Sequence, residues 1–252
     1  MLSNKTKLVD FHCHYDLLPT FGREPGAQLS DVTILGVTTT PLAWLKNLKV
    51  SGTVDRIIPA LGMHPQLISS RAKDFEKFSY YVEDSRIIGE VGLDGSKNFS
   101  DSLPTQEKIF SNILSMCNSE NPKVLSIHSL KAESKVISHL KEHTNSSSVT
   151  PIMHWFTGSV TQASKLLDMG AKFSFNHKML KTKSGQKLLM YLPRDSVLTE
   201  TDLPFTSKSY SPELHRDLLV NSVDMIASFW DTSLEDCTEH LLKNANIVLR
   251  EK

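Results

Sequence analysis

Cysteine is scarce in this chain. Its three cysteines among 252 residues, Cys13, Cys117 and Cys237, are widely separated and odd in number. They cannot form a disulfide framework, and reduced thiols in a cytoplasmic setting are expected. Net charge is missing as well: 28 basic and 28 acidic residues give a formal charge of +0. That excludes strong non-specific attachment of the whole surface to nucleic acid. No apolar run approaches the roughly 18 residues of a membrane span, and residues 1–7 are polar where a secretion signal would need an apolar core. No Pro/Ser-rich linker or compositional break divides the chain, so a single domain over 1–252 is expected. One local absence stands out. Residues 170–194 contain no acidic side chain, yet include Lys172, Lys178, Lys181, Lys183, Lys187 and Arg194. Such a segment is either a solvated helix face or a phosphate-facing patch.

What is present is a repeating alternation. Residues 8–11, 31–40, 56–61, 86–91, 123–127, 149–153, 171–175 and 196–201 are short apolar runs, each stopped by Gly, Pro or polar residues. They suit strands of a parallel sheet buried on both faces. Helical patterns lie between them. Residues 103–118 carry Ile109, Ile113 and Leu114, a second stretch carries Val136, Ile137 and Leu140, and a third over 160–169 ends at Gly170. Pro212 opens another, and the last begins near Ser233 with Glu235 and Asp236 at the positive end of its dipole. The second repeat is thinnest, with a short helix at best over 43–50. Eight strand–helix repeats in a chain near the typical length of about 250 residues imply a (β/α)8 TIM barrel, an α/β fold.

The ends of these runs carry the chemistry. His12 and His14 flank Cys13, and residues two apart on a strand share a face, so two imidazoles converge while the thiol points away. Strand four supplies Glu90, strand five His128, strand six His154 and strand eight Asp202. In such barrels the active site sits at these C-terminal strand ends. Four imidazoles and two carboxylates exceed what one tetrahedral ion needs, which favours two divalent ions with Glu90 as the bridge between them. The imidazole content favours Zn²⁺ or Mn²⁺ over Mg²⁺. Asp202 is the candidate to take a proton from an attacking water. Glu200, on the same strand face as Asp202, is a candidate to orient a ligand, and Asp94 reads as a loop-capping carboxylate.

His12-Cys13-His14, Gly62-Met63-His64-Pro65, Gly89-Glu90-Val91-Gly92-Leu93-Asp94, Ser126-Ile127-His128, His154-Trp155-Phe156-Thr157-Gly158 and Thr199-Glu200-Thr201-Asp202-Leu203-Pro204 together resemble the TatD family of metal-dependent deoxyribonucleases. Asn244-Ala245 resembles its closing motif. The resemblance implies two-metal phosphodiester hydrolysis, with His12, His14, Glu90 and Asp202 at one ion and Glu90, His128 and His154 at the other. It also implies a place for His64 near the scissile phosphate, and leaves Mg²⁺ as a possible working ion. The strings around Val37, Ala60 and Val124 resemble the QatD branch, the TatD-like nuclease of a bacterial anti-phage system. That resemblance implies an ATPase, a small partner protein and a QueC-like protein as partners.

Two departures concern substrate grip. Leu130 stands where many TatD proteins have an arginine, although Lys131 follows, and the loop after Pro204 carries Lys208 in place of an arginine-rich stretch. Lys131, Lys178 and Lys181 are the candidate substrate contacts. Two other functions remain open at this stage: an amidohydrolase-type deaminase or amide hydrolase, and a weakly active binding subunit of a defence complex. The amidohydrolase variant that bridges its metals with a carbamylated lysine needs that lysine on strand four, where this chain has Glu90.

Overall fold

The computed structural model describes residues 7–21, 27–54 and 56–250; residues 1–6 of the polar N-terminal stretch lie outside them. The strands are β1 (Leu8–Cys13), β2 (Val32–Gly36), β3 (Ile57–Pro59), β4 (Ile87–Gly92), β5 (Lys123–His128), β6 (Val149–His154), β7 (Lys172–Phe175) and β8 (Val197–Thr199). Around them run α1 (Trp44–Ser51), α2 (Ile68–Arg71), α3 (Phe75–Tyr81), α4 (Leu103–Cys117) and α5 (Glu133–His143). The ring continues with α6 (Val160–Leu167), α7 (His177–Leu180), α8 (Lys183–Tyr191), α9 (Pro212–Trp230) and α10 (Leu234–Leu249). Among the described residues no helix is long and apolar enough to cross a membrane.

All the ladders are parallel, in the orders β1-β2-β3 and β4-β5-β6-β7-β8. Two seams close them into the (β/α)8 barrel. Leu61 bridges to Ile88, with Gly89 N–H donating to the Leu61 carbonyl at 2.9 Å. On the other side Thr199 Oγ1 donates to the Val9 carbonyl at 2.7 Å, and Asp202 N–H donates to the His12 carbonyl at 2.7 Å. The inner cluster holds Val9, Phe11, Leu35, Val37, Ile87, Val124, Ile152 and Leu198. Ala245, Val248 and Leu249 of α10 join that cluster and plug the N-terminal end of the barrel. Arg86 fastens the plug through the Leu249 carbonyl at 2.8 Å.

Helix ends follow their local chemistry. Ser159 and Gln162 form a reciprocal capping box on α6, Ser211 accepts from Leu214 N–H ahead of α9, and Ser233 accepts from Asp236 N–H ahead of α10. Gly170 takes φ 79°, the left-handed conformation a chain leaving a helix requires.

Three strands are shorter than the apolar runs imply. The run over 31–40 leaves the sheet after Gly36. Thr38 turns its hydroxyl to the Ala60 carbonyl and Gly62 N–H, while Thr40 caps the next turn. The run over 56–61 pairs with β2 only over Ile57–Pro59, and Leu61 turns instead to bridge Ile88. The run over 196–201 stops at Thr199 because Thr201 N–H is taken by Asp10 Oδ1 at 2.9 Å and Asp202 turns to φ 54°. The shared strand face expected for Glu200 and Asp202 therefore does not exist.

A candidate metal centre at the C-terminal rim

Two bulges aim the ligands. The ladder register shifts between Asp10 and Cys13 in β1 and between Ile88 and Val91 in β4. Val9 and Phe11 belong to the inner cluster, so simple alternation would turn His12 outward; the shift lets it face inward too. The β4 shift does the same for Glu90 above Ile87. Bulges beside active sites commonly re-aim a side chain in this way.

The side chains converge on Glu90. Its Oε2 lies 3.3 Å from His12 Nε2, 3.2 Å from His14 Nε2 and 3.2 Å from His64 Nε2, while Oε1 lies 2.8 Å from His128 Nδ1. The two Nε2 atoms of His12 and His14 are 3.3 Å apart. These three donors form a nearly equilateral triangle. Ligands held tetrahedrally at about 2.0–2.1 Å from a zinc ion are about 3.3–3.4 Å from one another, so the triangle fits one face of such a site. Asp202 Oδ1 stands further off, 3.9 Å from His12 Nε2 and 3.7 Å from His14 Nε2. On the far side of Glu90 the set is looser, with the His128 and His154 rings 6.5 Å apart. Among the described residues His64, not His154, groups with Glu90 and His128, whereas His154 stacks on His12 at 3.5 Å between centroids.

Hydrogen bonds fix which nitrogen each imidazole offers. His12 Nδ1 meets Ser126 Oγ at 2.7 Å and His154 Nδ1 meets Glu200 Oε2 at 2.8 Å, so both turn Nε2 to the centre. His128 donates Nε2–H to Asp94 Oδ2 at 2.9 Å, which leaves Nδ1 facing Glu90. His64 differs. Its Nδ1 accepts from Gln66 N–H at 3.1 Å, so a neutral His64 carries its proton on Nε2 and acts as a donor into the site rather than as a ligand.

Several groups sit behind the ligands. Glu200 is buried beneath His154 and also accepts from Ser174 Oγ and, at 2.8 Å, from Asn176 Nδ2. Asp94 caps Ser96 N–H as expected and in addition holds His128 and Gln66. Asp10 carries no motif that marks it in the sequence. It accepts from His12 N–H, from Thr201 N–H and hydroxyl, and from His215 Nε2 at 2.7 Å, tying the ligand-bearing end of β1 to the segment carrying Asp202. Ser126 lies two residues before His128 on β5, so strand alternation alone could have found it.

The electrostatics are those of a cation site. Burial works against charge on Glu90, but His64 and His12 hold it well below the usual carboxylate range. Burial, reinforced by the charge of His154, keeps His12 far below its usual value. Burial also lowers His64 despite the pull of Glu90. His128 goes the other way: burial opposes its charge, yet bonds to Asp94 and Glu90 raise it to about 9. Burial opposes His154 too, and Glu200 overcomes that, raising it to about 10. Burial raises Asp202 to about 7. Cations entering here must displace those protons, so metal affinity is expected to fall as pH drops from 8 to 6, about tenfold per pH unit for each proton displaced. Calorimetry in buffers of different ionisation enthalpy would read the proton release. Metal uptake without proton release would remove His128 and His154 from the ligand set.

The centre opens into a cavity of about 440 Å³. His14, His64, Glu90, His128, His154 and Asp202 line it, together with Leu130, Trp155 and Phe205. Lys131, Lys178 and Lys181 are exposed and lie outside the cavity lining.

Comparison with known proteins places the chain in a family. The profile of the family described as TatD related DNase matches residues 9–250. An uncharacterised metal-dependent hydrolase from Buchnera aphidicola is 30% identical over 215 residues, 79% of either chain. Human deoxyribonuclease TATDN3 is 26% identical over 263 residues, 94% of this chain and 93% of its own. The crystal structure of YjjV, a TatD homologue from Escherichia coli, superposes with a TM-score of 0.81 at 20% identity, covering 97% of this chain and 98% of that one.

Proposed function

This chain belongs to the TatD related DNase family of metal-dependent hydrolases, and we propose that it is a deoxyribonuclease that hydrolyses phosphodiester bonds with two divalent ions flanking Glu90. The observation that carries this reading is the split of one buried carboxylate, with Oε2 turned to His12 and His14 and Oε1 turned to His128. When bound, Zn²⁺, Mn²⁺ or Mg²⁺ would supply Lewis acidity, lowering the pKa of water toward about 7 and polarising a phosphoryl oxygen. His12, His14, Glu90 and Asp202 would hold one ion, and Glu90, His128 and His154 the other.

The remaining steps fall to the chain's own groups. Asp202 lines the cavity and, as a carboxylate beside the ion it helps to hold, would accept the proton of an attacking water. His64 turns its Nε2 to Glu90 Oε2 at 3.2 Å while lining the same cavity, and would hydrogen-bond an oxygen of the scissile phosphate once that carboxylate is engaged by an ion. Glu200 holds His154 in place. Beyond the cavity, Lys131, Lys178 and Lys181 would meet the backbone of the remaining strand. Replacing Lys178 and Lys181 with Gln is expected to leave metal content unchanged. It should reduce the salt slope of single-strand binding by about 0.7 for each phosphate that is no longer neutralised; an unchanged slope would return both lysines to a solvated face.

The direct test is hydrolysis of single-stranded, nicked and duplex DNA by purified protein with each of the three metals, beside a panel of small amides. Metal-dependent DNA cleavage supports the reading. Turnover of an amide alone would favour an amidohydrolase, and binding without turnover would favour an assembly subunit. We further propose a role in bacterial anti-phage defence in the cytoplasm, with an ATPase, a small protein and a QueC-like protein as partners. Its support is the resemblance of the strings around Val37, Ala60 and Val124 to the QatD branch, together with three buried free thiols. Plaque counts on cells carrying those genes with the wild-type chain or Glu90→Gln would test it.

A further inference from the structure

We propose that the cavity beside Glu90 selects its substrate by stacking an unpaired nucleobase against Trp155 and Phe205, with Leu130 completing an apolar wall; this rests on the nuclease reading above. Three observations lead there. First, among the described residues no lysine or arginine lines the cavity. A pocket built to grip phosphate usually carries guanidinium or ammonium groups, and here the corresponding rim position is Leu130. Charge on the scissile phosphate is left to the metal centre and the His64 donor, so further binding energy must come from uncharged contact.

Second, the wall is aromatic and available. Phe205 is 58% exposed although it borders the centre. It meets His14 perpendicularly at 4.9 Å, and Trp155 meets His154 perpendicularly at 6.4 Å. Among the described residues neither ring has a parallel-stacked partner. Trp155 is also held at φ 37°, a left-handed backbone that a bulky residue adopts only at a cost. Such strain gathers where a side chain is presented for use, and Lys131 at φ 56° and Asp202 at φ 54° share it at the same rim.

Third, size limits the occupant. About 440 Å³ lies toward the small end of ligand sites, room for one nucleotide and not for an arm of duplex. The base next to the scissile phosphate must therefore be unpaired, at a strand end, in a single strand or flipped out.

The test uses Trp155 itself. The protein has three tryptophans, of which Trp44 and Trp230 are buried away from the cavity. Stacking of a base should quench Trp155 fluorescence. With metal-loaded protein, 3′- or 5′-dAMP is expected to quench and bind about tenfold more tightly than the corresponding deoxyribose phosphate, which carries the same phosphate without a base. Phe205→Ala should weaken dAMP binding about tenfold and raise KM for a single-stranded tetranucleotide similarly, with kcat changing less. Phe205→Trp should restore both. Equal binding of dAMP and deoxyribose phosphate, or cleavage of a fully abasic strand as readily as a base-bearing one, would overturn the proposal and leave the nuclease reading intact. Failure to cleave either strand would remove that reading, and this one with it.

Discussion

Glu90→Gln is expected to lose most of one bound ion and to lower phosphodiesterase turnover at least about 10³-fold, while the barrel stays folded. The amide keeps the volume of the carboxylate but removes the charge that sits 3.2–3.3 Å from His12, His14 and His64 and 2.8 Å from His128. A neutral oxygen cannot hold two dications against their mutual repulsion, and ligand loss at such a centre removes both water activation and phosphoryl polarisation. The fold is expected to survive because the inner cluster and the α10 plug lie below the site. Elemental analysis and circular dichroism read the two outcomes separately. Full metal stoichiometry in the variant would remove Glu90 from the bridging role.

Asp10→Ala should be the most destabilising change at this end of the barrel. Asp10 is fully buried and accepts from His12 N–H, Thr201 N–H, the Thr201 hydroxyl and His215 Nε2. Removing it strands four buried donors. Breaking a buried pair from one side costs about 3–5 kcal/mol. At about 2–4 °C per kcal/mol for a chain of this size, Tm should fall by roughly 6–20 °C. Because Asp10 also joins β1 to the segment bearing Asp202, metal affinity should fall in protein that remains folded. A drop of under about 2 °C in a thermal melt would show that the network is incidental.

The barrel was legible in the sequence because short apolar runs and 3.6-period stretches alternate along its length, and ligand-type residues fall at the ends of the runs. The convergence on Glu90 followed from that order. What alternation could not reveal came from irregular backbone. The bulges that turn His12 and Glu90 inward break strand parity, and Asp10 and Thr201, which end β8, meet across 191 positions of sequence. The tautomer of His64 depends on the backbone N–H of Gln66, a local turn with no pattern to mark it. The apolar wall was half visible: Leu130 was readable as a departure. That Trp155 and Phe205 share its cavity depends on how the loops after β6 and β8 fold.

Metal titration of the metal-free protein, followed by cleavage of a single-stranded oligonucleotide, tests the two-ion centre most directly. Activity should be absent after chelation and rise with added Zn²⁺ or Mn²⁺ until two equivalents are bound, with His128→Ala lowering the bound total by one. Activity that survives chelation, or that saturates at one equivalent with His128→Ala unchanged in metal content, would contradict a centre in which Glu90 holds two ions.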